Sequence, residues 1–299
     1  MGVGKVELAV WLVIYSFLVA IGISSVSYIL VWIALEATMA ASIVYMLWQD
    51  ARVGALFYYY VVQALGSLMM IAGAIGEMGV MLWVGFILKM GLFPLFVWMV
   101  SVVWGLGGLG SVLVVLWAQK LIPLVLLFEW GWVAEWSSEF LVMLVFWGVI
   151  GGSIGMLVGG SLKWLLVMSS MVHTSWLIMV VMDTVSSMVF YFGVYGFMLA
   201  LVLWATGSGS EEMGAGSLVV ISSIPPLLGF SVKFYSFSLV ISGLEVVVVG
   251  GIVLVVGTIV GYLWGLIGNF MTCSIGVVGG ERLGAMGVLL ASLTMSVVV

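Results

Sequence analysis

Charge is what this sequence has least of. Of its 299 residues, 6% are Asp, Glu, Lys or Arg, while 65% belong to the set Ala, Val, Ile, Leu, Met, Phe, Trp, Tyr and Cys. A soluble domain carries about 25% charged residues. With so little charge no water-facing surface can be covered, and the apolar side chains must face lipid. Cysteine is nearly absent: Cys273 stands alone, which excludes an internal disulfide, a thiolate zinc site and a cysteine-ligated iron–sulfur cluster. A single histidine, His173, excludes bis-histidine haem ligation. No basic run suggests a nucleic-acid partner, and no cofactor or metal site is expected in this chain.

What is present is a succession of apolar runs about 20 residues long, the length a helix needs to cross a bilayer. Only helices and closed barrels satisfy their own backbone in hydrocarbon, and barrel strands alternate apolar with polar residues. These runs do not alternate. The sequence therefore reads as an all-α polytopic membrane protein, a single transmembrane domain over residues 1–299. About eleven spans are expected, near 8–24, 26–48, 53–75, 79–99, 109–128, 138–158, 163–182, 186–206, 217–240, 246–269 and 284–299. The first is not read as a cleavable signal, since the chain re-enters the membrane almost at once.

Lys and Arg orient the spans. Lys5, Arg52, Lys163 and Arg282 all fall in loops on the side of the N-terminus, whereas the opposite loops carry Glu77, Glu129, Glu135, Glu139, Asp183 and Glu245. The positive-inside rule then places the N-terminus in the matrix or cytoplasm. An odd number of spans puts the C-terminus on the other side.

Of the seven Lys and Arg residues, the remaining three, Lys89, Lys120 and Lys233, lie inside apolar runs, as does one acid, Glu36. Each ionisable group near the bilayer centre costs about 2.5–3.5 kcal/mol, so the four together oppose insertion by roughly 10 kcal/mol unless they pair or line a hydrated path. A static ion pair would account for Glu36 and one lysine, leaving two cations without an acid. Ion transfer is the reading that uses all four. Glu36 and Lys89 each lie ten residues into their spans, which run in the same direction, so both reach about 15 Å deep at 1.5 Å per residue. A direct or water-bridged pair between them is expected.

Proline points the same way. Four prolines occur, each near an intramembrane lysine: Pro94 after Lys89, Pro123 after Lys120, and Pro225 and Pro226 before Lys233, with Gly229 between. Proline breaks a helix and removes a donor, leaving carbonyls to bind water or cations. Spans 4 and 9 are read as the broken ones, each the fourth of a five-span block. Two inverted repeats are expected, about 8–128 and 138–269, followed by an extra helix near 284–299; matched broken helices of this kind mark transport sites. Incidental kinks in a glycine-rich bundle are the competing account.

Two further patterns need weighing. Gly105, Gly107 and Gly110 spell G-x-G-x-x-G, with Glu129 nineteen residues beyond. A dinucleotide fingerprint requires a soluble βαβ unit, and a membrane span precedes this one, so direct NADH binding is not expected. Gly151, Gly152 and Gly155 are read as a close helix-packing surface. His173, about ten residues into span 7, is either a proton relay or a core histidine bonded to neighbours such as Ser169, Ser170, Thr174 and Ser175.

The order of these elements resembles a known family. Leu35-Glu36, Lys89-x-Gly91-x-x-Pro94-x-x-x-Trp98, Gln119-Lys120-x-x-Pro123, Ser161-Leu162-Lys163 with Ser169-Ser170-x-x-His173-x-x-Trp176, and Pro225-Pro226-x-x-Gly229-Phe230-x-x-Lys233 are similar to the motifs of chain 2 of mitochondrial NADH–ubiquinone oxidoreductase, respiratory complex I. Eleven spans resemble its shortened animal form, and the abundance of Met and Trp resembles translation with a mitochondrial code. The resemblance implies an antiporter-like, proton-translocating subunit of the membrane arm, in the mitochondrial inner membrane, with other membrane-arm subunits and lipids as partners. It implies that Glu36 tunes Lys89, that Lys120 connects, that His173 links half-channels and that Lys233 is the terminal proton site. NADH, flavin, iron–sulfur clusters and ubiquinone would be handled by other subunits. The chain departs from the family at Leu95-Phe96-Val97, where a His is common, at Val100-Ser101, where Pro-Glu is common, and at Tyr262-Leu263-Trp264, where an Arg is common. A stand-alone cation/proton antiporter and a structural subunit without transport are the two other classes.

Overall fold

The computed structural model describes residues 3–25, 27–130, 138–158, 161–181, 184–207, 217–218, 220–222, 227–240 and 255–264. The described secondary structure is helical throughout, as long apolar segments in lipid require. The chain divides into two compact units, Met1–Leu141 and Val142–Val299.

The first unit contains α1 (Val3–Ser24), α2 (Tyr28–Trp48), α3 (Val53–Ile75), α4 (Gly79–Met90), α5 (Val97–Gly105), α6 (Leu109–Leu116), a 3-10 turn (Ala118–Lys120) and α7 (Leu121–Trp130). Ser27 caps α2, its hydroxyl accepting from Leu30 N at 3.3 Å. The centre of the unit is the pairing of α3 with α4, which approach almost backbone to backbone. A Cβ on Gly85 would lie 2.7 Å from Gly66 O and 2.8 Å from Met70 N. A Cβ on Gly73 would lie 2.8 Å from Leu82 Cα. Small residues at such a crossing exchange side-chain volume for close van der Waals contact, the main source of helix association in lipid.

Span 4 is broken as expected. α4 ends at Gly91, whose φ of 67° is left-handed, and α5 resumes at Val97 beyond Pro94. Span 5 is broken as well, which the sequence reading did not anticipate. α6 stops at Trp117 (φ −128°, ψ −68°), the 3-10 turn follows, and α7 begins at Leu121. Pro123 supplies the reason, since it has no N–H for Gln119 O and its ring clashes with that carbonyl.

The glycines of G-x-G-x-x-G have a packing role. Gly105 abuts Ala55, a Cβ on Gly107 would lie 2.8 Å from Gln49 O, and Gly110 abuts the Tyr45 hydroxyl. This loop lies against the turn between α2 and α3, with Arg52 N donating to Gly105 O at 3.0 Å.

The second unit contains most of α8 (Ser138–Val158), then α9 (Leu162–Val181), α10 (Val185–Gly207), α11 (Leu228–Val240) and a helix at Val255–Trp264. Every residue of α9 from Leu165 to Val181 is buried. α8 meets α9 through Gly148, Gly152 and Gly155, which abut Ser175, Val172 and Met168. Gly152 and Gly155 thus form the expected packing surface. Gly261 sets the last helix against α8, a Cβ there lying 3.0 Å from Met156 Cβ.

Six helices among the described residues are long and apolar enough to cross a membrane: Val6–Ser24, Tyr28–Trp48, Val53–Ile75, Leu109–Leu127, Leu162–Val181 and Val185–Gly207. They answer to expected spans 1, 2, 3, 5, 7 and 8. The expected span 11, and Pro225–Pro226 of the break in span 9, lie outside the described residues. Helical residues are present up to 221 and again from Leu228, and a Cβ on Gly229 would lie 2.8 Å from Ile221 O. Only glycine lets these two segments come so close.

Candidate functional site

The first unit holds three of the five residues singled out above. Glu36 is half-buried on α2, and its carboxylate accepts a hydrogen bond from Ser67 Oγ on α3. Lys89 is buried in the last turn of α4, and its ammonium makes no hydrogen bond among the described residues. Glu36 is not its hydrogen-bond or ion-pair partner. Of the direct or water-bridged pair expected from equal depth, the direct form is absent. The reason is α3, which packs against both α2 and α4. Ser67 holds the carboxylate, and Gln63, one turn earlier, donates from Nε2 to Lys89 O at 3.3 Å.

The broken helix is also better satisfied than a proline break suggests. Trp98 Nε1 donates to Leu88 O at 2.9 Å, and Leu92 N donates to Ile87 O at 3.1 Å. The carbonyls of Leu88 and Lys89 at this helix end accept from Trp98 and Gln63. An indole and a carboxamide cap the helix end and hold Lys89 in register.

Lys120 closes the 3-10 turn between α6 and α7 and is buried, 2% exposed. Its N–H donates to Trp117 O at 3.0 Å. Ala118 O accepts from Leu121 N within the turn and also from the hydroxyl of Tyr15 on α1. Tyr15 stacks on Trp11 with centroids 4.8 Å apart, and Trp11 meets Tyr45 at 5.0 Å.

His173 and Lys233 lie in the second unit, and both are fully buried. His173 Nδ1 is 3.1 Å from the Tyr191 hydroxyl, and the imidazole stacks on Tyr195 with centroids 4.6 Å apart. One turn before His173 on α9, Ser169 Oγ is hydrogen-bonded to the Tyr262 hydroxyl. Lys233 Nζ lies 5.7 Å from the centroid of the Tyr262 ring and donates to Thr258 Oγ1 at 3.3 Å. Tyr262 thus bonds Ser169 on α9 through its hydroxyl and sets its ring near the Lys233 ammonium, while Tyr191 and Tyr195 lie beside His173.

Several residues of these two clusters were missed in the sequence. Tyr59, Gln63 and Ser67 recur every four residues on α3 and are all buried. That spacing of polar groups in an apolar span was a readable signal. Tyr262 entered the sequence reading only as the neighbour of an absent arginine, yet Tyr262 is buried while Leu263 and Trp264 face outward.

Comparison with known proteins bears on what these clusters belong to. Residues 75–221 match the family "NADH:quinone oxidoreductase/Mrp antiporter, TM". That stretch includes Lys89, Lys120 and His173. Over 86% of the chain the fold follows a chain of the Mrp complex of Dietzia sp. DQ12-45-1b, with a TM-score of 0.71 and 14% identity. This chain spans 59% of that one's length. Over 90% it follows a chain of an archaeal membrane-bound sulfane sulfur reductase, with a TM-score of 0.67 and 14% identity. NADH-ubiquinone oxidoreductase chain 2 of Albinaria caerulea is 27% identical over 71% of this chain and 72% of its own. The Mytilus edulis chain 2 is 32% identical over 237 residues, 73% of each chain. With an antiporter-type fold, this identity and this coverage, the chain belongs to the family of NADH-ubiquinone oxidoreductase chain 2.

Proposed function

We propose that this chain is a proton-translocating, antiporter-like subunit of the membrane arm of respiratory complex I. Protons move along an intramembrane axis of Glu36, Lys89, Lys120, His173 and Lys233, driven by electron transfer from NADH to ubiquinone in other subunits. The observation that carries this reading is that Lys89, Lys120 and Lys233 are all buried, two of them at helix breaks. Burial makes a lysine's charge state sensitive to its surroundings, because desolvation opposes the charge and a carboxylate favours it. Moving or neutralising Glu36 would then switch Lys89 between charged and neutral forms, with water bridging the groups that α3 keeps apart. In the second unit the hydroxyls of Ser169, Tyr262 and Thr258 are groups along which a proton can pass between α9 and Lys233.

The wider parts of the proposal rest on the family, on the loop cations and on the proline breaks. The chain sits in the mitochondrial inner membrane among other membrane-arm subunits and lipids, with its N-terminus in the matrix and its C-terminus in the intermembrane space. Its two five-span blocks are inverted repeats, and an extra helix near 284–299 brings the total to about eleven spans. It carries no redox centre and contacts no NADH. Labelling of residues 129–139 from the matrix side alone would contradict the orientation.

A second reading, a stand-alone cation/proton antiporter, is favoured by the Mrp antiporter half of the matching family description and by the fold likeness to the Mrp complex chain. Migration in mild detergent separates the two. A complex I subunit travels with a very large NADH-oxidising assembly, and a stand-alone antiporter does not.

A further inference from the structure

The polar stripe of α3 carries an assignment of its own. Tyr59, Gln63 and Ser67 lie one turn apart and are 0%, 2% and 0% exposed. Tyr58 and Tyr60 of the same helix are exposed, and its other residues are apolar or small, so that a buried hydroxyl or amide there costs free energy unless it is satisfied. Gln63 is bound to the carbonyl of Lys89, and Ser67 is bound to the carboxylate of Glu36. The Tyr59 hydroxyl and the Lys89 ammonium have no hydrogen-bond partner among the described residues. Gly66, between Gln63 and Ser67, brings α3 so near α4 that a Cβ there would lie 3.3 Å from Lys89 Cβ. The stripe thus touches both members of the acid–lysine pair while the two members do not touch each other.

We propose that Ser67 is a positioning residue for Glu36: its hydroxyl holds the carboxylate on α3, within electrostatic reach of Lys89 but short of an ion pair. This assignment rests on the proton-transfer reading above and adds a specific partner to it. A carboxylate free to rotate would close on the lysine, and a closed pair in low dielectric holds its proton too tightly to exchange it. Held by Ser67, the carboxylate biases Lys89 without trapping it. The hydroxyl has one proton and two acceptors in reach, an oxygen of Glu36 and Ala64 O at 3.0 Å, and the assignment gives that proton to the carboxylate.

The test is a double-mutant cycle read in the intact complex. Inside-out inner-membrane vesicles carrying the wild-type chain, Ser67→Ala, Glu36→Gln or both are energised with NADH, and acidification is normalised to assembled complex. Ser67→Ala is expected to lower acidification about tenfold or more, the scale of losing a hydrogen bond to a charged group, with KM for NADH unchanged. In the Glu36→Gln background it is expected to cause no further loss, because it acts through the carboxylate. Wild-type acidification in Ser67→Ala, or independent losses that multiply in the double variant, would overturn the assignment. Wild-type acidification in Glu36→Gln would instead overturn the proton-transfer reading on which it rests.

Discussion

Lys233 Nζ faces the hydroxyl of Thr258 at 3.3 Å, and that hydroxyl donates its own proton to Val255 O at 2.7 Å. The threonine oxygen is thereby turned towards the ammonium as an acceptor. This oxygen stabilises the ammonium through a hydrogen bond and carries no charge of its own. Thr258→Val, which keeps the shape and removes the acceptor, is expected to cost about 1–3 kcal/mol. A lower thermal midpoint of the assembled complex would register it. Lys233→Met is expected to leave assembly intact and to lower protons pumped per electron, and an unchanged ratio would take Lys233 off the path.

Tyr262 joins Ser169 on α9 to the neighbourhood of Lys233 through opposite ends of one side chain. Tyr262→Phe keeps the ring near the ammonium and removes the hydroxyl. The expected result is slower NADH-driven proton translocation at unchanged complex content, with a smaller loss than Lys233→Met. Time-resolved acidification of energised vesicles measures both.

Packing of the first unit is testable at glycine. Gly85 lies one turn before Lys89 and has no room for a methyl group, whereas nothing lies within 4 Å of where a Cβ on Gly54 would be. Gly85→Ala has to push α3 from α4, at a cost of about 1–3 kcal/mol. Gly54→Ala is expected to be neutral or slightly stabilising. The yield of assembled complex compares the two directly.

Much of this was legible in the sequence, for identifiable reasons. Scarcity of charge and the length of the apolar runs established membrane helices. The cost of an intramembrane charge singled out Glu36, Lys89, Lys120 and Lys233, and the structure finds all three lysines buried. Proline marked the break after Lys89. It marked the break at Lys120 equally, but Pro123 lies near the start of the resumed helix α7, so the run looked continuous. The partners were harder to read. Residues 26–36 and 79–89 give Glu36 and Lys89 a shared depth but not a shared face, so nothing in that spacing revealed α3 holding them apart. Trp98 as a cap was equally hidden, because a side chain that serves a broken helix from elsewhere leaves no periodic trace in the sequence.

The measurement that bears most directly on the central claim compares Glu36→Gln with Glu77→Gln. Glu36 bears on the buried lysine, whereas Glu77 stands in the turn after α3. Protons translocated per electron are to be measured in sealed vesicles containing equal amounts of assembled complex. A proton-transfer axis predicts a reduced ratio or a reduced coupled rate for Glu36→Gln and wild-type behaviour for Glu77→Gln. Equal, negligible effects of the two substitutions would contradict it.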